Sequence, residues 1–141
     1  MIELSTALFL GYVFHRVGDY MFQNHWMATE KTKNFHPALI HALLYSVLFL
    51  LIVSWEWWLV IFITHFFIDR YRLAAYWTRL VSSRFVSHPD LRFEGEWKFG
   101  DAENFGYGKD TPKWLSVWLL INVDNTIHLV INTLCIIGSY G

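Results

Sequence analysis

The sequence predicts an all-α integral membrane protein, a bundle of four transmembrane helices with a cytoplasmic loop or cap. Three observations carry that expectation: four apolar stretches of bilayer-crossing length, basic residues gathered on one side of those stretches, and histidine–aspartate pairs set inside them. Hydrophobic residues make up 55% of the 141 and charged residues 16%, where soluble domains are about one quarter charged. The mean hydropathy is +0.30. The length suits one domain.

A membrane-spanning helix needs about 20 consecutive, mostly apolar residues. The stretches run over about 2–22, 37–55, 57–77 and 114–137. Pro37 opens the second at a first-turn position, where its missing N–H is tolerated. No charge lies between Pro37 and Trp55. A soluble all-α protein is disfavoured because the second and third stretches leave no polar face for water. Between them only Ser54 and Glu56 form a turn, so the two helices should make a tight antiparallel hairpin. Residues 24–36 form the first loop, and 78–113, with Gly95, Gly100, Gly106 and Gly108 among mixed charges, form a cap.

Charge sets the expected topology. Arg16 falls inside the first stretch, and the ten other basic residues of the 11 fall in or beside the loops 24–36 and 78–113. By the positive-inside rule both loops are cytoplasmic and both termini outside. Trp55, Trp57 and Trp58 mark the outer interface, and Trp26, Trp77 and Trp114 the inner one, as an aromatic belt. A formal net charge of −1 gives no case for nucleic-acid binding. The single cysteine, Cys135, cannot form an intramolecular disulfide, so redox compartment is not readable. The first stretch lacks a basic start and a small-residue cleavage site, and it carries His15, Arg16 and Asp19, unlike a signal peptide.

Those ionisable residues are the informative ones. His15 with Asp19, His65 with Asp69, and Asp124 with His128 are pairs spaced i,i+4, which puts each pair on one helix face. The second stretch contributes His41, with Tyr45 one turn away. Gln23 and Asn132 extend the stripes of the first and last helices. With 1.5 Å rise per residue, all seven should fall between the middle of the bilayer and its cytoplasmic face. A carboxylate there costs about 2.5–3.5 kcal/mol on insertion scales, so three of them must face imidazoles, a wet cavity or a cation. The expectation is a metal site of His15, Asp19, His41, His65, Asp69, Asp124 and His128. Mixed nitrogen and oxygen ligands suit a divalent transition metal, zinc first, with manganese, iron or nickel as alternatives. Such a metal lowers the pKa of bound water, and Asp69 or Asp124 is the expected catalytic base. This would make a metal-dependent hydrolase near the cytoplasmic face. A proton or ion conductor built on the same layer, and polar packing that only holds helices together, are the competing readings. Gly106 to Asp110 lacks the spacing of a phosphate loop, and His25, His36 and His88 read as ordinary surface histidines.

These motifs resemble a family of small uncharacterised polytopic membrane proteins, widespread in bacteria and their phages. Its pattern is His-x3-Asp-x3-Gln in the first helix, a lone His in the second, His-x3-Asp in the third and Asp-Gln-x-x-His in the last. Here these are His15, Asp19 and Gln23; His41; His65 and Asp69; and Asp124 and His128, with Asn125 where glutamine is usual. The resemblance covers the four stretches and not 78–113. It implies the helical fold, the polar layer and a bacterial inner membrane, and supplies no activity. The expected partners are the lipid bilayer, a second copy in a homo-oligomer, and, for a non-enzymatic membrane factor, a host protein bound by the cap.

Overall fold

A computed structural model describes residues 2–85 and 103–141. All regular structure among them is helical: α1 Leu4–Arg16, α2 His25–Glu30, α3 Phe35–Ser46, α4 Trp55–Tyr71, α5 Leu73–Phe85 and α6 Lys113–Tyr140. The predicted cap residues 86–102, with His88, Gly95 and Gly100, lie outside the described residues.

Two compact units divide the chain. One holds Met1–Arg72 with Thr126–Gly141, the other Leu73–Asn125, and α6 contributes to both. In the first, the apolar core gathers Ala7 of α1, Tyr45 of α3, Phe49, Ile52 and Val53 after it, Ile61 of α4, and Cys135 and Ile136 of α6. The Ser54 backbone N–H donates to Ser139 Oγ at 2.8 Å, tying the α4 start to the end of α6.

The helix boundaries follow local chemistry. At the end of α1 the hydrogen bonding widens to a π turn, Val17–Met21, closed by Phe22 N–H donating to the Val17 carbonyl at 3.1 Å. Gly18 sits in that turn because α3 passes too close for any side chain: a Cβ there would lie 3.0 Å from Tyr45 Cα and 2.7 Å from its ring. Asn24 caps α2, its side chain accepting from Met27 N–H at 2.9 Å, as an N-cap does. Past Ser46, α3 tightens into a 3-10 turn, Val47–Leu51.

The structure corrects the bounds of the third apolar stretch. A continuous helix over 57–77 is expected; instead α4 ends at Tyr71, where Arg72 adopts the left-handed φ of 52°. A residue in that conformation cannot continue the right-handed hydrogen-bond ladder, so residues 73–77 open α5. Among the described residues one helix, α6, with 28 residues, is long and apolar enough to cross a membrane; Phe35–Leu51 is apolar but shorter.

The second unit holds α5, the turns from residue 103 and the start of α6. Asn104 organises them: its amide donates to the carbonyls of Gly108 at 2.8 Å and Thr111 at 3.0 Å, and its oxygen accepts from Ser116 Oγ at 2.5 Å. Gly106, with φ +93°, lies against the Arg79 backbone, where a Cβ would come within 2.6 Å of Cα.

The first unit inverts the usual distribution of polarity. His41 is 0% and His65 1% exposed, while Phe9 is 67%, Leu51 73% and Leu134 61% exposed. Large apolar side chains face outward on α1, α3, α4 and α6, and beside the apolar core the interior also holds imidazole, carboxylate, phenol and amide groups.

Candidate metal centre

Four side chains converge at the heart of the first unit. The π turn supplies Asp19, α3 supplies His41, and α4 supplies His65 and Asp69 one helical turn apart. Each offers one ligand atom, and these atoms all lie within 4.8 Å of one another. His41 Nε2 is 3.1 Å from His65 Nε2 and 3.1 Å from Asp69 Oδ2. His65 Nε2 is 3.2 Å from Asp69 Oδ2. Asp19 Oδ1 stands slightly further off, 3.4 Å from His41 Nε2 and 3.6 Å from His65 Nε2. Ligand atoms about 2.0 Å from a tetrahedral zinc are about 3.3 Å from each other. Five edges of the present figure run from 3.1 to 3.6 Å. Its spacing is that of four ligands around one small cation.

Further residues hold these four. His128 of α6 places Nε2 3.2 Å from Asp69 Oδ1, so both Asp69 oxygens are engaged. His15 of α1 has Nδ1 3.5 Å from Asp19 Oδ2 and 2.9 Å from Tyr45 Oη. Asn132 donates its amide proton to Tyr45 Oη at 2.6 Å. The Tyr45 hydroxyl thus bridges Asn132 and His15 Nδ1. Tyr45 also lies flat on His65, ring centroids 3.6 Å apart at an interplanar angle of 15°, which fixes that imidazole's plane. Buried polar atoms with no hydrogen-bond partner among protein atoms include Asp19 Oδ1, Gln23 Oε1, His41 Nδ1 and His65 Nδ1. Burying such atoms unpaired is costly, and for Asp19 Oδ1 a cation at the centre would remove the cost.

A cation of the protein's own already touches the cluster. Lys31, just past α2, places Nζ 2.7 Å from Asp69 Oδ2 and 3.2 Å from His41 Nε2. An ammonium has only protons to give, so with His41 in its Nδ1–H tautomer this contact is a hydrogen bond to the Nε2 lone pair. Arg70, beside Asp69, donates to the carbonyls of Thr32 at 2.6 Å and Lys33 at 3.0 Å, anchoring the segment that follows Lys31.

Of the seven sequence-predicted residues, Asp19, His41, His65 and Asp69 form the centre, with His15 and His128 against its carboxylates. Asp124, expected as ligand and base, belongs to the second unit, half-buried one turn before His128 on α6. Asp69, also expected as base, has no free oxygen. Lys31 and Arg70 were legible only as loop-side charges. Arg16, inside the first apolar stretch, is exposed and lies over the Tyr20 ring, 4.4 Å from its centroid. His25 and His36 are exposed, as expected of surface histidines.

The buried polar cluster and its helical frame define a candidate metal-binding protein. The chain belongs to the family described as "Protein of unknown function (DUF3307)", whose model matches residues 6–89. That range carries all four converging residues and Lys31 and ends before α6. No curated protein and no solved structure matches the chain.

Proposed function

We propose that this protein is a membrane-embedded metalloprotein that holds one divalent transition metal, zinc by preference, and uses it to hydrolyse a substrate near the cytoplasmic face. The observation that carries the reading is the near-tetrahedral spacing of Asp19, His41, His65 and Asp69, 3.1–3.6 Å along five edges. Two imidazoles and two carboxylates neutralise a divalent ion and match zinc, with manganese, iron or nickel as further candidates.

A hydrolytic centre needs three firm protein ligands and one position for water. His41, His65 and Asp69 are the closest-set three. Asp19 is the loosest, and it sits on a π turn, a feature common at functional sites. Asp19 would yield the fourth ligand position to a water, acidified by metal that His41, His65 and Asp69 hold, and would take its proton as general base. This moves the base from Asp69 and Asp124, where sequence reasoning put it, to Asp19.

The inverted polarity of the first unit supports the membrane reading. A soluble protein rarely exposes contiguous apolar surface on this scale, whereas in a bilayer apolar groups face lipid and ionisable ones face inward. On this reading four segments cross: α1 with its π turn, α3 with its 3-10 turn, α4 and α6. The 17 residues of α4 stand at the short end of the spanning range of about 17–25.

The test is elemental analysis of detergent-purified protein beside a His41→Ala/His65→Ala variant. One equivalent of zinc or a related metal, lost in the variant, is the expected result. No metal in the wild-type protein after resupply would remove the metalloprotein reading. Asp19→Asn should keep the metal and lose hydrolysis, which a screen of phosphate-ester and amide substrates would register.

A further inference from the structure

Lys31 shares two partners with the proposed metal. His41 Nε2 and Asp69 Oδ2 are 3.1 Å apart, and both accept from the Lys31 ammonium, at 3.2 and 2.7 Å. Two acceptors repel at that distance unless a cation lies between them. The spacing that suits zinc is therefore also the spacing that the ammonium maintains.

Resting on the metal-site reading, we propose that Lys31 is a tethered placeholder cation: its ammonium holds the ligands in place before metal arrives, and metal binding expels it. The shared partner requires the exchange: His41 Nε2 has one lone pair, which cannot serve the ammonium and a metal at once. Asp19 and Asp69 carry two negative charges, and imidazoles that bind metal do so neutral. A divalent ion cancels the carboxylates completely. With no metal, the ammonium offsets one of the two carboxylates, and its donation keeps the His41 lone pair pointed at the centre.

The surroundings make the exchange mechanically simple. The Lys31 side chain is 18% exposed, so the ammonium has a way out to solvent. Its backbone stays where it is. Lys31 N–H donates to the Met27 carbonyl at 3.0 Å, and Arg70 grips the carbonyls of Thr32 and Lys33. A rotation of one flexible side chain, with the segment still clamped, opens the site.

The experiment compares zinc affinity of the full-length protein in detergent, by competition with a chromophoric chelator, between wild type and Lys31→Met. The placeholder predicts roughly tenfold tighter zinc binding in Lys31→Met, together with a lower unfolding temperature in chelator that added zinc restores. Equal or weaker zinc binding in Lys31→Met, with zinc bound by the wild type, would overturn the placeholder and leave the metal site standing. Zinc bound by neither would remove both. Should the variant fail to fold, amine labelling of the wild type decides, read by peptide mass spectrometry with Lys33 as exposed reference. Zinc should raise Lys31 labelling relative to Lys33; unchanged or lower labelling overturns the exchange.

Discussion

Asp69 is the residue on which most contacts meet. One oxygen serves Lys31 and the two imidazoles of the centre, and the other serves His128. Asp69→Asn should abolish metal retention and lower stability by roughly 1–3 kcal/mol, since several buried partners lose a charged acceptor at once. Metal analysis and thermal unfolding in detergent would record both. Tyr45→Phe is the contrasting case. It keeps the ring stacked on His65 but strands the Asn132 amide and removes the hydroxyl that meets His15. The expected outcome is a loss of about 1–3 kcal/mol with the metal retained, seen as a lower unfolding temperature at unchanged metal content. The residues of the centre were legible in the sequence because i,i+4 spacing places His65 and Asp69 on one face and because charged groups in apolar stretches need partners. Lys31 was not legible in this way. Its position in a loop made it look like a topology signal, and the long side chain's reach into the centre is set by tertiary packing across 38 residues.

At the scale of the elements, the chain is helical where the four apolar stretches lie, and the third of them breaks in two. Nothing in the sequence around Arg72 announces a stop: no glycine, asparagine or proline stands there, yet the chain takes the left-handed conformation and starts a new helix. The π turn was equally hidden, because hydrophobic periodicity assumes 3.6 residues per turn throughout. Its glycine offers a direct test. Gly18→Ala places a methyl against the Tyr45 backbone, which cannot yield as a flexible side chain would. The cost should be about 1–3 kcal/mol from overpacking. Weakened metal binding should accompany it, since Asp19 is the next residue and Tyr45 braces His65. Unfolding midpoints and zinc affinity of this variant would check both effects.

The whole molecule follows from where its apolar and polar groups lie. The all-helical class was readable from the four apolar stretches, and the polar interior from the ionisable residues inside them. The division into two units was not, because α6 is one unbroken periodic helix through both. The membrane reading leads to a plain expectation: the protein remains with the membrane fraction after alkaline carbonate washing and needs detergent for release. Recovery in the soluble fraction would exclude the bilayer and recast the outward apolar faces as contact surfaces between proteins.

The π turn carries a further consequence, one of phase. A π turn contains one residue more than the α turn it replaces, so it works as an angular offset of about 100° between the helix before it and the chain after it. His15 stands before the offset and Asp19 within it, and both reach the same centre. Inserting one more residue between Arg16 and Val17, wound as ordinary helix, would add about 100° that the turn does not absorb, with every side chain intact. The part carrying His15 would then be dialled around its axis relative to Asp19, and His15 would turn away from Tyr45 and the centre. In this helix the count of residues matters as much as their kind: an insertion that removes no ligand should disarm the site as thoroughly as replacing one.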